Sequence, residues 1–101
     1  MTIRIVITPE ADRDVLDIAD YIAEGSVEAA NRFAQSFQKS LHKLKDAPFR
    51  GAMIRSDAEA LRSTRWTPVD GFPNHLIYYT TEPEAVVVIR VLHGARNQPR
   101  R

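Results

Sequence analysis

The residues best suited to binding an anion, or to acid–base chemistry, lie after residue 60. That part of the chain carries six arginines and no lysine against three acidic residues, whereas residues 1–60 carry eight basic and ten acidic side chains. Arginine presents a planar fork of donors that matches carboxylate or phosphate. His93 is the one group near the end of the last strand that titrates near neutral pH, so it could act as a general acid or base. The candidate site residues are Arg62, Arg65, Arg90, His93 and Arg96.

Arg90 interrupts the otherwise apolar run "VVVIRVL", and the polar segment "HGARN" follows directly. An ionised group inside such a strand must be paired or reach solvent. Strand alternation places Arg90 on the face away from the helices, near Arg62 or Arg65. The alternative is an ordinary surface arginine paired with Glu82 or Glu84. His93 and Arg96 then either contact a partner or cap loop carbonyls.

Two helices precede these strands. Alternating isoleucines over residues 2–7 predict a half-buried strand, and Thr8-Pro9 is typical of a helix start. Apolar residues at steps of three and four predict a helix that ends near Gly25, and Ser26 caps a second helix that runs to residue 46. The short connection predicts a helical hairpin. The first helix has an acidic face that is expected to be solvated (Asp12, Asp14, Asp17 and Asp20). One ion pair is expected there, between Arg13 and Asp17.

Three strands are predicted at 61–69, 74–81 and 85–93, and the segment after Pro48 is expected to be irregular. The order β-α-α-β-β-β predicts an α+β fold in which the hairpin packs on one face of a small, mainly antiparallel sheet. The last strand should be central, with the first strand at an edge or beside it. Residues 1–97 are predicted to form a single domain, and residues 98–101 a free tail.

Composition excludes several classes of site. The chain has no cysteine, so it has no disulfide or thiolate site, and its three histidines show no metal-ligand spacing. We expect no metal and no cofactor. No apolar stretch is long enough for a transmembrane helix and no signal peptide is evident, which favours a cytoplasmic protein without membrane contact. A net charge of +1 is too small to predict direct nucleic-acid binding.

The adjacent residues Tyr78 and Tyr79 must point to opposite faces of a strand, so at most one can lie on the open face. Tyr79 is the candidate for contact with a partner, and its neighbour then belongs to the core. His75 follows a predicted turn and is expected to be solvated or bonded to that turn.

Several stretches together resemble the RelE/ParE superfamily of bacterial toxins from type II toxin–antitoxin modules. They are "ITPEADRDVLDIADYIAEGS", "AANRFAQSF" with "LKDAPFRG", "LRSTRWTPVDGFPNHLIYY" and "VVVIRVLHGARN". The resemblance extends from Ile3 to Asn97, and the closing segment is more similar to the ParE branch than to the RelE branch.

The ParE resemblance implies a toxin that inhibits DNA gyrase by binding and is neutralised by a ParD-like antitoxin, with operator DNA contacted only through the antitoxin. The residues expected to contact target or antitoxin are Arg62, Arg65, Tyr79, Arg90, His93 and Arg96. The RelE alternative is a ribosome-dependent mRNA endonuclease in which His93 transfers protons beside Arg90 and Arg96. No tyrosine follows Tyr79, which weakens that alternative. A third possibility is an inert stabilisation protein with the same fold.

Overall fold

The computed structural model describes residues 3–54 and 63–94, and the proposed tail at 98–101 lies outside these ranges. Its elements follow the predicted order, with one additional short strand. They are β1 (Arg4–Ile7), α1 (Pro9–Gly25), α2 (Val27–Asp46), β2 (Ala52–Met53), β3 (Arg65–Val69), β4 (Phe72–Glu82) and β5 (Ala85–His93). Within the described ranges, neither helix is long and apolar enough to cross a membrane.

Two hydroxyl caps set the starts of the helices. The Thr8 Oγ1 accepts a hydrogen bond from the Ala11 N–H at 3.1 Å, and Pro9 occupies the first turn of α1. Ser26 is the single residue between the helices, and its Oγ accepts from the Ala29 N–H at 3.0 Å. A one-residue connection between two capped helices produces the predicted hairpin.

The five strands form one mixed sheet in the order β1-β5-β4-β3-β2. β1 runs parallel to β5, and the other pairs are antiparallel. The prediction of a mainly antiparallel sheet is confirmed, whereas the last strand is interior but not in the middle. β1 is both an edge strand and the neighbour of β5, while the middle position belongs to β4.

The strands that follow α2 differ from the sequence-based expectations in where they begin and in their number. β3 begins at Arg65, and residues 61–62 of the predicted strand lie outside the described ranges. β4 begins at Phe72 because the turn needs only Asp70 and Gly71, the latter at a φ of 80°. β2 was not predicted, since two residues are too few to show alternation; its pairing with β3 places it in the sheet.

The core lies between the hairpin and one face of the sheet. The buried stripe of α2 falls at steps of three and four residues and is at most 6% exposed (Phe33, Phe37, Leu41 and Leu44). It packs with Ala11 of α1 and with buried residues of β4 and β5 (Ile77, Tyr79, Val86, Val88 and Val91). This arrangement buries the apolar stripe of the hairpin, which is where the hydrophobic stabilisation of the fold is concentrated.

β5 contains a bulge that changes which of its residues face the core. Tyr78 is opposite Arg90 and Tyr79 is opposite Val88, so Ile89 has no residue of its own across the strand. Val88 and Val91, three residues apart, are therefore both buried. A regular strand would have placed them on opposite faces.

We expect Phe37→Ala to lower the free energy of unfolding by about 3–5 kcal/mol, because the ring is 4% exposed and its removal leaves a cavity. Chemical denaturation measures the loss. Gln38→Ala, at the exposed neighbouring position, is the control and should change stability by no more than about 0.5 kcal/mol. A loss below about 1 kcal/mol for Phe37→Ala would contradict its place in the core.

Candidate functional site

Arg90 is held by a carboxylate of the first helix. Its Nε donates to Asp14 Oδ2 at 2.7 Å and its Nη2 donates to Asp14 Oδ1 at 2.9 Å, a bidentate pair. The backbone N–H of Val91 donates to the same Oδ2 at 2.9 Å. The Asp14 side chain is 12% exposed and that of Arg90 is 48% exposed. Pairing with Asp14 raises the pKa of the Arg90 guanidinium, so the group stays charged.

The register confirms that Arg90 lies on the face away from the core, because it is opposite Tyr78 and next to the core residue Val91. Its expected neighbours are wrong, since the side chain binds Asp14 of α1 instead of lying near Arg65 or pairing with Glu82 or Glu84. The expectation of a fully solvated acidic face is wrong as well. Asp14 stands three residues after Ala11 and four before Ile18, on the edge of the buried stripe of α1. That spacing was the sequence signal for its inward position.

Asp17, by contrast, fulfils its prediction. It pairs with Arg13 at 3.3 Å, and both side chains are more than half exposed. An exposed pair of this kind contributes little to stability. The acidic face therefore consists of solvated residues with one exception, Asp14.

Arg65 fastens the segment between α2 and β2. Its Nη1 donates to the carbonyl of Gly51 at 2.8 Å and to that of Phe49 at 3.2 Å. Its guanidinium carbon lies 5.2 Å from the centre of the Phe49 ring, within cation–π range. Phe49 itself is 66% exposed. Arg65 thus binds the backbone of an exposed aromatic residue and packs against its ring.

Tyr79 is not on the open face, so its place among the expected contact residues is wrong for this structure. It is 0% exposed, and its hydroxyl accepts the Gly51 N–H at 2.9 Å. A Cβ at Gly51 would lie 2.5 Å from that hydroxyl, so the close approach requires glycine. Burial raises the pKa of the Tyr79 phenol. The neighbouring Tyr78 is also buried, although it lies on the opposite face.

His93 faces a second histidine rather than an arginine. The rings of His75 and His93 are 5.1 Å apart and perpendicular, and the residues are opposite each other on β4 and β5. The His75 ring also lies edge-on against Phe33 at 5.3 Å and Phe72 at 6.3 Å. Both Nδ1 atoms are buried without a hydrogen-bond partner.

The expectation that His75 is solvated or bonded to its turn is therefore wrong. It is half-buried on the helix-facing side of β4, where Phe33 of α2 covers it. Burial, with a smaller contribution from His93, lowers the pKa of His75 below its ordinary value of 6.5. This aromatic–histidine cluster (His75, His93, Phe33 and Phe72) was missed because its members are distant in sequence.

The structure does not bring the described candidates together. β4 separates the strands of Arg65 and Arg90, so their backbones are about 10 Å apart, and their guanidinium groups turn to β2 and to α1 respectively. Arg62 and Arg96 lie outside the described residues. Within residues 3–54 and 63–94, no group of three or more acidic or histidine side chains could hold a metal ion.

Asp14→Ala should lower the free energy of unfolding by about 1.5–3 kcal/mol, because it leaves the Val91 N–H and the Arg90 guanidinium without their acceptor. Asp14→Asn, which keeps one acceptor oxygen, should lose less. Asp17→Ala is the matched control on the same helix and should lose under about 0.5 kcal/mol. Equal losses for the two alanine variants in urea denaturation would contradict this assignment.

The histidine cluster predicts a loss of stability with acid. The unfolded chain takes up a proton near pH 6.5 while folded His75 resists it, so its contribution is full above that pH and is lost as pH falls. The slope is at most about 1.4 kcal/mol per pH unit for one proton. His75→Phe keeps the ring packing and should flatten the slope between about pH 5 and pH 7. Denaturation at several pH values measures it, and a slope unchanged from the parent would refute the prediction.

The comparisons with known proteins agree with this architecture. A solved structure titled "Chromosomal ParDE TA system from P. aeruginosa" is similar to this chain, with a TM-score of 0.71 and 16% sequence identity. The match covers 91% of this chain and 96% of that one, and at this identity it shows the shared fold. Comparison with curated protein sequences gives no significant match.

The family comparison covers nearly all of the sequence. The family model described as "ParE toxin of type II toxin-antitoxin system, parDE" matches residues 5–98, which include both helices and all five strands except the first residue of β1. The chain therefore belongs to the ParE toxin family of type II toxin–antitoxin systems.

Proposed function

We propose that this ParE family toxin arrests growth by binding DNA gyrase in the cytoplasm, without hydrolytic chemistry of its own, and that a ParD-like antitoxin neutralises it. Membership of the family supports the choice of target and antitoxin. The solved relative's title names a ParDE toxin–antitoxin system, which also favours an antitoxin partner.

The observation that carries the proposal is the engagement of the polar candidates in the fold itself. Arg90 is bound to Asp14, and Arg65 to backbone carbonyls. His93 packs against His75. A ribonuclease needs a proton-transfer group beside cations that hold the phosphate. Among the described residues of the candidate site, Arg65 and Arg90 instead bind different parts of the fold. This favours a toxin that acts through contacts of its surface.

The cleft between α1 and β5 is the surface we propose for the antitoxin. It has a volume of ≈ 320 Å³, and Asp14, Asp17 and Arg90 contribute its charged groups. A guanidinium has five N–H donors, and the pair with Asp14 uses two of Arg90's. Arg90 is half exposed, so its remaining donors can bind an acidic side chain of the antitoxin. Leu16 of α1, at 52% exposed, adds apolar surface on the same helix.

The decisive experiment expresses the parent and His93→Gln without antitoxin and reads DNA supercoiling and messenger cleavage separately. Glutamine retains hydrogen bonding but cannot shuttle a proton, so a toxin that acts by binding should keep most of its growth arrest. An enzyme that depended on His93 should lose about 10²–10⁴-fold in rate. Asp20→Lys, on the exposed side of α1, is the control and should remain toxic. Co-expression of the cognate antitoxin should restore growth in every toxic case.

Because His93 packs on His75, the stability of His93→Gln must be measured alongside its toxicity. A folded His93→Gln protein that no longer arrests growth, with ribosome-dependent cleavage by the parent, would establish the endonuclease alternative. A folded parent protein that neither impairs supercoiling nor cleaves messengers would favour the third possibility, an inert stabilisation protein.

A further inference from the structure

A group of cations converges on the turn between β3 and β4, away from the surfaces discussed above. The Lys43 Nζ donates to Asp70 Oδ1 at 3.0 Å, and the Lys39 Nζ lies 3.8 Å from Asp70 Oδ2. Arg50 lines the same cleft as Lys43 and Asp70. Three positive charges thus face one carboxylate. This excess of positive charge favours the binding of a second anion.

The cleft at this turn, here named the Asp70 cleft, has a volume of ≈ 250 Å³. It is lined by polar and apolar groups of α2, of the segment between α2 and β2, of β3 and of the turn (Ser40, Lys43, Arg50, Thr67, Asp70 and Gly71 among them). Its base is fixed to the helix by a buried hydroxyl. Ser40, 4% exposed, accepts the Asp70 N–H at 2.8 Å and donates to the Ser36 carbonyl at 2.8 Å. The turn is therefore held in place before any ligand arrives.

The charge of the cleft stays positive at neutral pH. A hydrogen bond from Lys43, together with the charges of Lys43, Lys39 and Arg50, lowers the pKa of Asp70 below 3.8. The carboxylate is therefore ionised, and two positive charges remain uncompensated. A phosphate monoester carries about 1.5–2 negative charges at pH 7, whereas a phosphodiester carries one. The dianionic form matches the excess, and lysines are common ligands of phosphate.

We propose that the Asp70 cleft binds a dianionic phosphate group, held by Lys43, Arg50 and Lys39 with the Thr67 hydroxyl available as a further donor. The proposal is independent of the gyrase and antitoxin proposals, since it involves different elements. Asp70 competes with the ligand for the same cations. Removing its charge should therefore strengthen binding rather than weaken it.

The test is a titration of the full-length protein with inorganic phosphate at constant ionic strength, followed by amide NMR. Saturable shifts should centre on the amides of Thr67, Val69, Asp70 and Gly71, and sodium chloride should not reproduce them. Loss of one charge contact at about 4 Å in water corresponds to roughly fivefold in affinity. Lys43→Gln/Arg50→Gln should weaken binding by more than that, Asp70→Asn should strengthen it severalfold, and Arg13→Gln on α1 should have no effect.

The source of the phosphate is distinguished by further ligands. Tighter binding of a nucleoside 5′-monophosphate than of inorganic phosphate would identify a nucleotide, and equal binding would identify phosphate alone. Binding of a single-stranded oligonucleotide without terminal phosphate as tightly as the monophosphate would overturn the preference for a dianion. Shifts that follow ionic strength only, or that persist in a folded Lys43→Gln/Arg50→Gln protein, would overturn the site.

Discussion

The exposed edge of β5 is the constraint on which the rest of the structure depends. β1 pairs with β5 only from Ala85 to Val88, while β5 continues to His93. Backbone groups beyond Val88 on that side would be left without partners, at a cost in stability and with a risk of pairing with other chains. Residues near the start of the helical hairpin supply the hydrogen-bond partners that β1 does not provide. The Thr8 hydroxyl donates to the Ile89 carbonyl at 3.1 Å, and Asp14 accepts the Val91 N–H.

This completion of the sheet by helix side chains determines how the charged residues are used. Asp14 holds the Val91 N–H and also lies beside Arg90, whose guanidinium it binds through both oxygens. The largely buried carboxylate of Asp14 is thereby paired, which avoids the cost of an unpaired buried charge. The polar residues of β3 and β5 therefore serve the fold first, and what they leave exposed is a surface for contacts.

Much of this fold could be predicted from local patterns. The bounds of β5 and the caps at Thr8 and Ser26 follow from residues close together in sequence, and the structure confirms them. The errors share another cause. Arg90 binds a carboxylate of α1, Tyr79 binds a loop glycine, and His75 packs against Phe33 of α2. Contacts between distant parts of the chain produce no periodic pattern in the sequence.

The parallel pairing of the first and last strands bears on the order in which the chain can fold. The hydrogen bond from Thr8 to Ile89 spans 81 positions of sequence, and β1 has no other neighbour in the sheet. Closing so long a loop is slow relative to forming the hairpin or the β3–β5 meander. The apolar stripe of α1 and α2 has no sheet to cover until β5 has been made, because Val86, Val88 and Val91 belong to the same core. The strand that is synthesised last therefore both completes the core and pairs with the first strand, so the fold can close only after β5 has left the ribosome.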